Sequence, residues 1–496
     1  MTDSITNNSR FRPGYILILL FPLFLTGCKN RIPSFSPVNQ DVIIQPDYTS
    51  VTIPPNVAPL NFSILQTGER YLVRLYNSKS VDFNIESASG IIKIPEKDWR
   101  KLLSSVAPGK YFMDIFIKRA GKWEKFNTIT NTVTSDSIDK YLVYRLIEPG
   151  FETWNKMGIY QRNLENFRES PVMLNCYTND NCLNCHTFSK NNSRNMMFHM
   201  RGANGGTIIY HNDSLLKINT KTPNIISAGV YPAWHPDGQY IAFSVNYIIQ
   251  CFHAIPGKKA EVCDTLSDIV IYDIKKNTVI KSITLSDPGQ LETFPTWSPD
   301  GKYLYYTSAR KLPFVKYNEV YYDLLRVSFD PTNCSFGVPD TVLDISKQKE
   351  SIAFPRISPD GRYLMMTISD YGNFTIWHSE SDLFIMDLTD GRMYKPDINS
   401  FYSESFHTWS SSGRWIVFSS RRGDGLFTRP YFSYFDSLGT AHKPFLLPQR
   451  NPGFYADFLK SYNLPELVSG RVELNPGKLK KICRSKSVNA AFKSVE

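Results

Sequence analysis

Four stretches decide the fold: Tyr231-Pro-Ala-Trp-His-Pro-Asp-Gly-Gln-Tyr-Ile-Ala-Phe-Ser244, Phe294-Pro-Thr-Trp-Ser-Pro-Asp-Gly-Lys-Tyr-Leu-Tyr-Tyr-Thr307, Phe354-Pro-Arg-Ile-Ser-Pro-Asp-Gly-Arg-Tyr-Leu-Met-Met-Thr367 and Phe406-His-Thr-Trp-Ser-Ser-Ser-Gly-Arg-Trp-Ile-Val-Phe-Ser419. Each reads as an apolar strand, a tight turn and a second, buried strand. The turn has a chemical logic: Pro pre-sets φ, Asp caps the turn, and Gly takes the positive φ. The fourth copy carries Ser411-Ser412 in place of Pro-Asp but keeps Gly413. Aligned on Gly238, Gly301, Gly361 and Gly413, the copies stand 63, 60 and 52 residues apart. Repeats of tens of residues mark solenoids or propellers, and these exceed the ~40–45 residues of a bare four-stranded blade, so the loops carry insertions.

The strands that follow are of one kind too: Asp268-Ile-Val-Ile-Tyr-Asp273, Asp382-Leu-Phe-Ile-Met-Asp387 and Tyr322-Asp-Leu-Leu-Arg-Val327. Together these segments are similar to TolB-like β-propellers over residues 195–450. The resemblance implies five or six blades, with a degenerate one around Met196–Ser227 and another built from the segment after Arg429. Residues 451–496 are left as a C-terminal strand or tail. For function the resemblance implies protein contacts at the cell envelope and little more, because propellers host binding proteins, scaffolds and enzymes alike.

Upstream of the repeats the pattern changes. Short alternating or β-branched runs at Leu60–Leu65, Tyr71–Tyr76, Val81–Ile85, Tyr111–Lys118 and Trp123–Val133 predict a β-sandwich over residues 56–135, immunoglobulin-like in kind. The last two runs are joined hairpin-fashion across Arg119-Ala120-Gly121-Lys122. Within it, Trp99, Leu102, Leu103 and Val106 fall at i, i+3, i+4 and i+7, which predicts a short amphipathic helix over Glu96–Val106. Between sandwich and propeller, Ile138, Leu142, Leu146, then Met157, Tyr160, Leu164 and Phe167, predict two helices broken at Pro149-Gly150. Residues 136–194 are thus expected to form a helical linker, and the fold class to be mainly β.

The first residues set the compartment. Arg10 and Arg12 precede an apolar run, Tyr15–Leu25, that is long enough for a signal-peptide core and short of a membrane span. Leu25-Thr26-Gly27-Cys28 then resembles a bacterial lipobox. It implies a signal peptide over residues 1–27, lipidation of Cys28 and a membrane partner through that anchor, at the outer membrane or periplasmic face. From Cys28 to Pro55 the chain is rich in Pro, Ser and Asn, which reads as a tether.

One motif carries chemistry. Cys182-Leu183-Asn184-Cys185-His186 is C-x-x-C-H, the attachment sequence of c-type haem, in which two thiols meet the porphyrin vinyl groups and the histidine becomes the proximal iron ligand. An exported location agrees with covalent haem c. His199 and Met200 are the first candidates for the distal ligand, because a loop of that length from His186 folds back over one ring; Met196, Met197, His253 and His407 follow. A zinc site with Cys176, a thioredoxin-like redox pair and a plain disulfide are the rival readings. Cys251 and Cys263 bracket a loop that a disulfide would close, while Cys334 and Cys483 have no evident partner.

The chain has 496 residues and a net charge of +10 from 56 Lys+Arg against 46 Asp+Glu. That length calls for more than one core. The excess is dispersed outside the tail from Lys478 to Lys486, so it permits an acidic partner without the dense stripe that nucleic acid requires. No G-x-S-x-G, H-E-x-x-H or phosphate-cradling loop is present. The sequence therefore predicts an electron carrier or binding protein rather than an enzyme: a lipid-anchored c-type cytochrome whose propeller docks a redox or envelope protein, or else a non-catalytic envelope propeller that binds a protein or glycan.

Overall fold

The computed structural model describes residues 32–148, 156–255 and 258–496. The leader, the lipobox with Cys28, and Pro149-Gly150 lie outside them. The described residues are mainly strand and form a β-propeller-like ring of six sheets with a second β unit docked against it.

The ring is built around six innermost strands: Cys182–Phe188 (blade 1), Val230–Trp234 (blade 2), Gln290–Trp297 (blade 3), Ser351–Ile357 (blade 4), Glu404–Trp409 (blade 5) and Ser461–Val468 (blade 6). Each packs on the next, and Ser461–Val468 touches both Glu404–Trp409 and Cys182–Phe188, so the ring closes. In blades 1 to 5 the outer strands follow in chain order. Blade 6 differs: its innermost strand pairs antiparallel with Tyr141–Ile147, which continues outward through Gly158–Asn163 and Glu169–Leu174. Two further strands, Val488–Asn489 and Ala491–Val495, add in parallel to the outer edges of blades 1 and 2.

This corrects the expectation of a helical linker at 136–194, whose residues supply three strands of blade 6 and the innermost strand of blade 1. The spacing of four that suggested a helix also suits a strand, because four is a multiple of the strand period. Leu142, Tyr144 and Leu146 face one neighbour and Val143, Arg145 and Ile147 the other, and all six are buried. A strand enclosed on both faces shows no apolar and polar alternation. The ring accordingly runs from 141 to 468 rather than from 195 to 450.

All six innermost strands carry the same β-bulge. Cys185, Tyr231, Phe294, Phe354, Phe406 and Leu464 have φ between 46° and 53°, and each blade's pairing register shifts at that point. A non-glycine residue in this region stores strain of ~1–3 kcal/mol, persisting only where its surroundings over-determine it. The residue that follows is Pro232, Pro295, Pro355 or Pro465 in four blades, suited to a place where the bulge has already interrupted the ladder. In blades 1 and 5 it is His186 and His407.

The N-terminal unit pairs a seven-stranded sheet with the three-stranded sheet of Ile44–Gln45, Phe62–Ile64 and Ile91–Ile92. Helix α1 spans Glu96–Val106 and buries Trp99, Leu102, Leu103 and Val106. Trp99 Nε1 donates to the Val57 carbonyl at 2.9 Å, so the buried indole is satisfied. The expected tether is instead part of this unit from Ile32 on. Phe35–Pro37 and Thr52–Ile53 join the large sheet, and Val42, Ile44, Pro46 and Tyr48 are buried in strict alternation with exposed neighbours. One core runs from this unit into blades 5 and 6 through Trp415, Phe445 and Tyr462. Asp136 and Asp139 fasten the junction: Trp415 Nε1 donates to the Asp136 carbonyl at 2.9 Å, and the Ser411 amide to Asp139 Oδ2 at 2.7 Å.

Candidate functional site

The bulges aim six side chains at the ring axis, and four of them are large aromatics. Phe294 lies 4.1 Å from Phe354 and 4.5 Å from Tyr231, ring centre to ring centre, and Phe406 lies 4.9 Å from Phe354. These rings plug the channel. On one side of the plug a long hairpin, Tyr240–Ile255 with Lys258–Asp273, extends from blade 2 across the axis. Glu261 pins it to the far side: its Oε1 meets His378 Nε2 at 2.8 Å, and its Oε2 lies 2.9 Å from Lys258 Nζ and accepts from Tyr371 Oη at 3.2 Å. Those donors hold the Glu261 carboxyl below its usual range despite the opposing effect of burial. A cavity of about 140 Å3 remains beneath the hairpin, lined in part by Arg145, Cys182, Cys185 and Arg201.

On the other side of the plug the channel opens as a funnel of about 450 Å3, to which all six innermost strands contribute. Its walls carry the edges of Trp234, Trp297 and Trp409, whose faces are packed between blades. Trp297 Nε1 donates to the Ala233 carbonyl at 3.2 Å and Trp409 Nε1 to the Arg356 carbonyl at 3.0 Å, so the indoles tie adjacent blades together. Polarity comes from Arg356 and Glu466, 3.2 Å apart, with Thr408 Oγ1 donating to the second Glu466 oxygen at 3.3 Å. Burial pushes the Glu466 carboxyl up, opposed by Arg356 and Thr408.

The C-x-x-C-H residues lie together on the innermost strand of blade 1, all buried. Cys185-His186-Thr187-Phe188-Ser189 aligns with Phe406-His407-Thr408-Trp409-Ser410 of blade 5, bulge on bulge. Burial pushes both histidines down to about 3, with the Arg145 charge adding to the effect at His186. His407 Nε2 donates to the Met365 carbonyl at 3.0 Å, whereas the His186 ring lies near the Val143 and Leu464 backbone without a well-aligned hydrogen bond.

These residues do not fit haem c. The buried imidazole would suit an iron, but the hollow beside it holds about 40 Å3. The cavity beside the thiols holds about 140 Å3, too small for a porphyrin. Neither candidate distal ligand lines the hollow beside His186. His199 and Met200 sit on the adjacent strand of the same sheet, opposite Asn184 and Leu183, with His199 Nδ1 3.0 Å from Thr207 Oγ1 and Met200 in the core between blades. Met196 and Met197 are on that strand too, and His253 lies on the hairpin.

The expected disulfide is absent as well, since Cys251 and Cys263 are both free. Cys251 stands opposite Glu261 and Cys263 opposite Ile249, which makes the two cysteines diagonal neighbours. Such pairs are ~7–8 Å apart, beyond the Cα separations a disulfide bridges. Among the described residues no cluster of three or more His, Cys, Asp or Glu suited to a metal occurs, and no helix is long and apolar enough to cross a membrane.

Sequence reasoning missed the funnel residues Arg356 and Glu466. Arg356 lies inside a quoted repeat, so its place on the axis was readable once the strand was known to be innermost. Glu466 had no such signal, because its copy of the repeat, Leu464-Pro465-Glu466, lacks the Pro-Asp-Gly turn.

No family model and no curated protein matches the chain. Among solved structures it is similar to one from a nidogen–laminin complex, at 9% identity and a TM-score of 0.36 over 62% of this chain and 92% of that one. The Dos1 propeller aligns at 11% identity and a TM-score of 0.28 over 47% and 66% of the two chains. A DUF4784 family protein from Bacteroides caccae aligns at 7% identity and a TM-score of 0.27 over 72% and 95%.

Proposed function

We propose that this chain is an exported, lipid-anchored TolB-like propeller protein of the bacterial cell envelope that binds a partner protein through the axial funnel. The observation that supports this reading is the asymmetry of the channel: one mouth is sealed by the aromatic plug and the hairpin, while the other is open, 450 Å3 in volume and reached by all six innermost strands. That volume is typical of a specific binding site. Arg356 supplies a forked donor suited to a carboxylate on an inserted loop or terminus. The tryptophan faces are packed between blades and offer no platform for stacking a sugar ring, which favours a protein over a glycan. Anchorage at Cys28 would set the molecule at a membrane surface, where several acyl chains hold it firmly. An electron-carrier role would need haem on Cys182 and Cys185, and it rests on the sequence motif alone.

The test is site-specific photocrosslinking in the native host. A crosslinking residue at Ser298 or Pro359, on the funnel, is expected to give one discrete adduct with an envelope protein, and the same residue at exposed Val315, away from it, none. Absence of a funnel-specific adduct would sink the proposal, as would a haem-stained band with Soret absorption from the protein purified alongside haem-attachment machinery.

A further inference from the structure

The cavity beneath the hairpin contains a charge with no carboxylate partner among the described residues. Arg145 is buried, 8% exposed, in the second strand of blade 6. Its Nη1 donates to the Leu183 carbonyl at 3.0 Å and its Nη2 to Asn463 Oδ1 at 2.8 Å, both neutral acceptors, and its Nε has no partner. Arg201, at the exposed rim, is a second cation on the same cavity. Among the described residues neither arginine is ion-paired with a carboxylate. Glu261 is the acidic group in the cavity wall, and both its oxygens are committed to His378, Lys258 and Tyr371. Burial pushes the Cys182 thiol up, so that sulfur stays neutral. A buried, unpaired guanidinium beside a like charge is costly, and an arginine cannot shed its proton to relieve it.

The remaining wall mixes apolar side chains, among them Ile248, Phe252, Phe406 and Leu464, with the uncharged polar ones of Asn184, Gln250 and Asn463. At about 140 Å3 the space exceeds what one water needs and suits a small ligand. Guanidinium forks match carboxylates in two parallel hydrogen bonds, and a wall otherwise uncharged apart from the committed Glu261 calls for a body that is not itself ionic.

We propose that this cavity is a binding site for a small organic carboxylate with a short apolar body, its anionic end held between Arg145 and Arg201 and its body against Phe252 and Phe406. It lies across the aromatic plug from the funnel and is independent of what the funnel binds.

Calorimetric titration of the full chain with benzoate, benzamide and inorganic phosphate tests the site. Benzoate is expected to bind saturably, and the neutral amide and phosphate each at least tenfold more weakly. Arg145→Gln should abolish benzoate binding. Because Arg145 also bridges two strands and its loss threatens the fold, Arg201→Gln and Phe252→Ala carry the test independently: both side chains are exposed, and each variant should weaken benzoate at least tenfold with an unchanged melting temperature in its absence. No saturable benzoate binding, benzamide equal to benzoate, or Arg201→Gln binding like wild type would overturn the site. Phosphate binding as tightly as benzoate would overturn the assignment of an apolar body.

Discussion

Replacing His186 with proline tests whether Cys185-His186 is a copy of the propeller repeat rather than a ligand pair. The position is the one that Pro232, Pro295, Pro355 and Pro465 hold in four other blades, each just after a residue in the left-handed region. Above pH 6.5 the imidazole is neutral in both folded and unfolded chains and adds no pH dependence. Below pH 6.5 the unfolded chain takes up a proton that the folded chain refuses until about pH 3, so stability is lost across that window and the penalty is constant beneath it. At pH 5 the gap from pH 6.5 corresponds to about 2 kcal/mol. At neutral pH the substitution removes a buried imidazole and stiffens the unfolded chain, a gain of ~0.4–1 kcal/mol where the native backbone accepts proline. In equilibrium urea unfolding, His186→Pro should match or exceed the parent protein at pH 7.5, and its advantage should widen by about 2 kcal/mol at pH 5. His199 and His407, depressed to about 4 and 3, still make both proteins acid-sensitive, so the difference between them is the quantity that counts. A variant that fails to fold, or two proteins whose stabilities fall in parallel between pH 7.5 and pH 5, would refute the reasoning.

The bulge itself makes an inverted prediction at Phe354. Truncation to alanine should cost ~3–5 kcal/mol for the lost ring, yet Phe354→Gly should be more stable than Phe354→Ala by about 1 kcal/mol, because φ is 53° there and glycine relieves the strain. Thermal or urea midpoints measure the order, and glycine ranking below alanine would contradict the left-handed assignment. At the other end of the molecule, Cys28→Ala should move the protein from the membrane to the soluble fraction in host cells; unchanged fractionation would rule out lipidation at that residue.

Much of the ring was legible because its repeat is chemical as well as periodic. The Pro-Asp-Gly turns at Gly238, Gly301 and Gly361 announce themselves, and Gly413 survives the loss of its Pro-Asp. Two copies escaped for separate reasons. In blade 1 the bulge residue is a cysteine and the turn runs through Lys190 and Asn191 at φ 49° and 55°, so the segment shows a haem motif before it shows a repeat. In blade 6 the copy at Leu464-Pro465-Glu466 has no turn to read, because its partner strand is supplied by Tyr141–Ile147. The contact between Arg145 and Asn463 spans 318 positions, and no local pattern encodes pairing at that range. Leu142 and Leu146 read as helical for the same reason: enclosure on both faces, which belongs to the closed ring and not to the segment, removed the alternation that identifies a strand. The funnel and the cavity beneath the hairpin are likewise products of closure, since their walls are drawn from blades far apart in the chain.

The composite sixth blade also sets an order of events during biogenesis. Tyr141–Ile147 is complete while the strand that will cover its open edge is still more than 300 residues from being available, and the five other blades must be in place before the gap has its final width. Until Ser461–Val468 arrives, the nascent ring is a curved stack with a bare, apolar strand edge, the kind of surface that recruits other chains. Were the chain exported as proposed, it would meet this interval on the far side of the membrane, and the passage from open stack to closed ring would be its step most exposed to chaperones and proteases there.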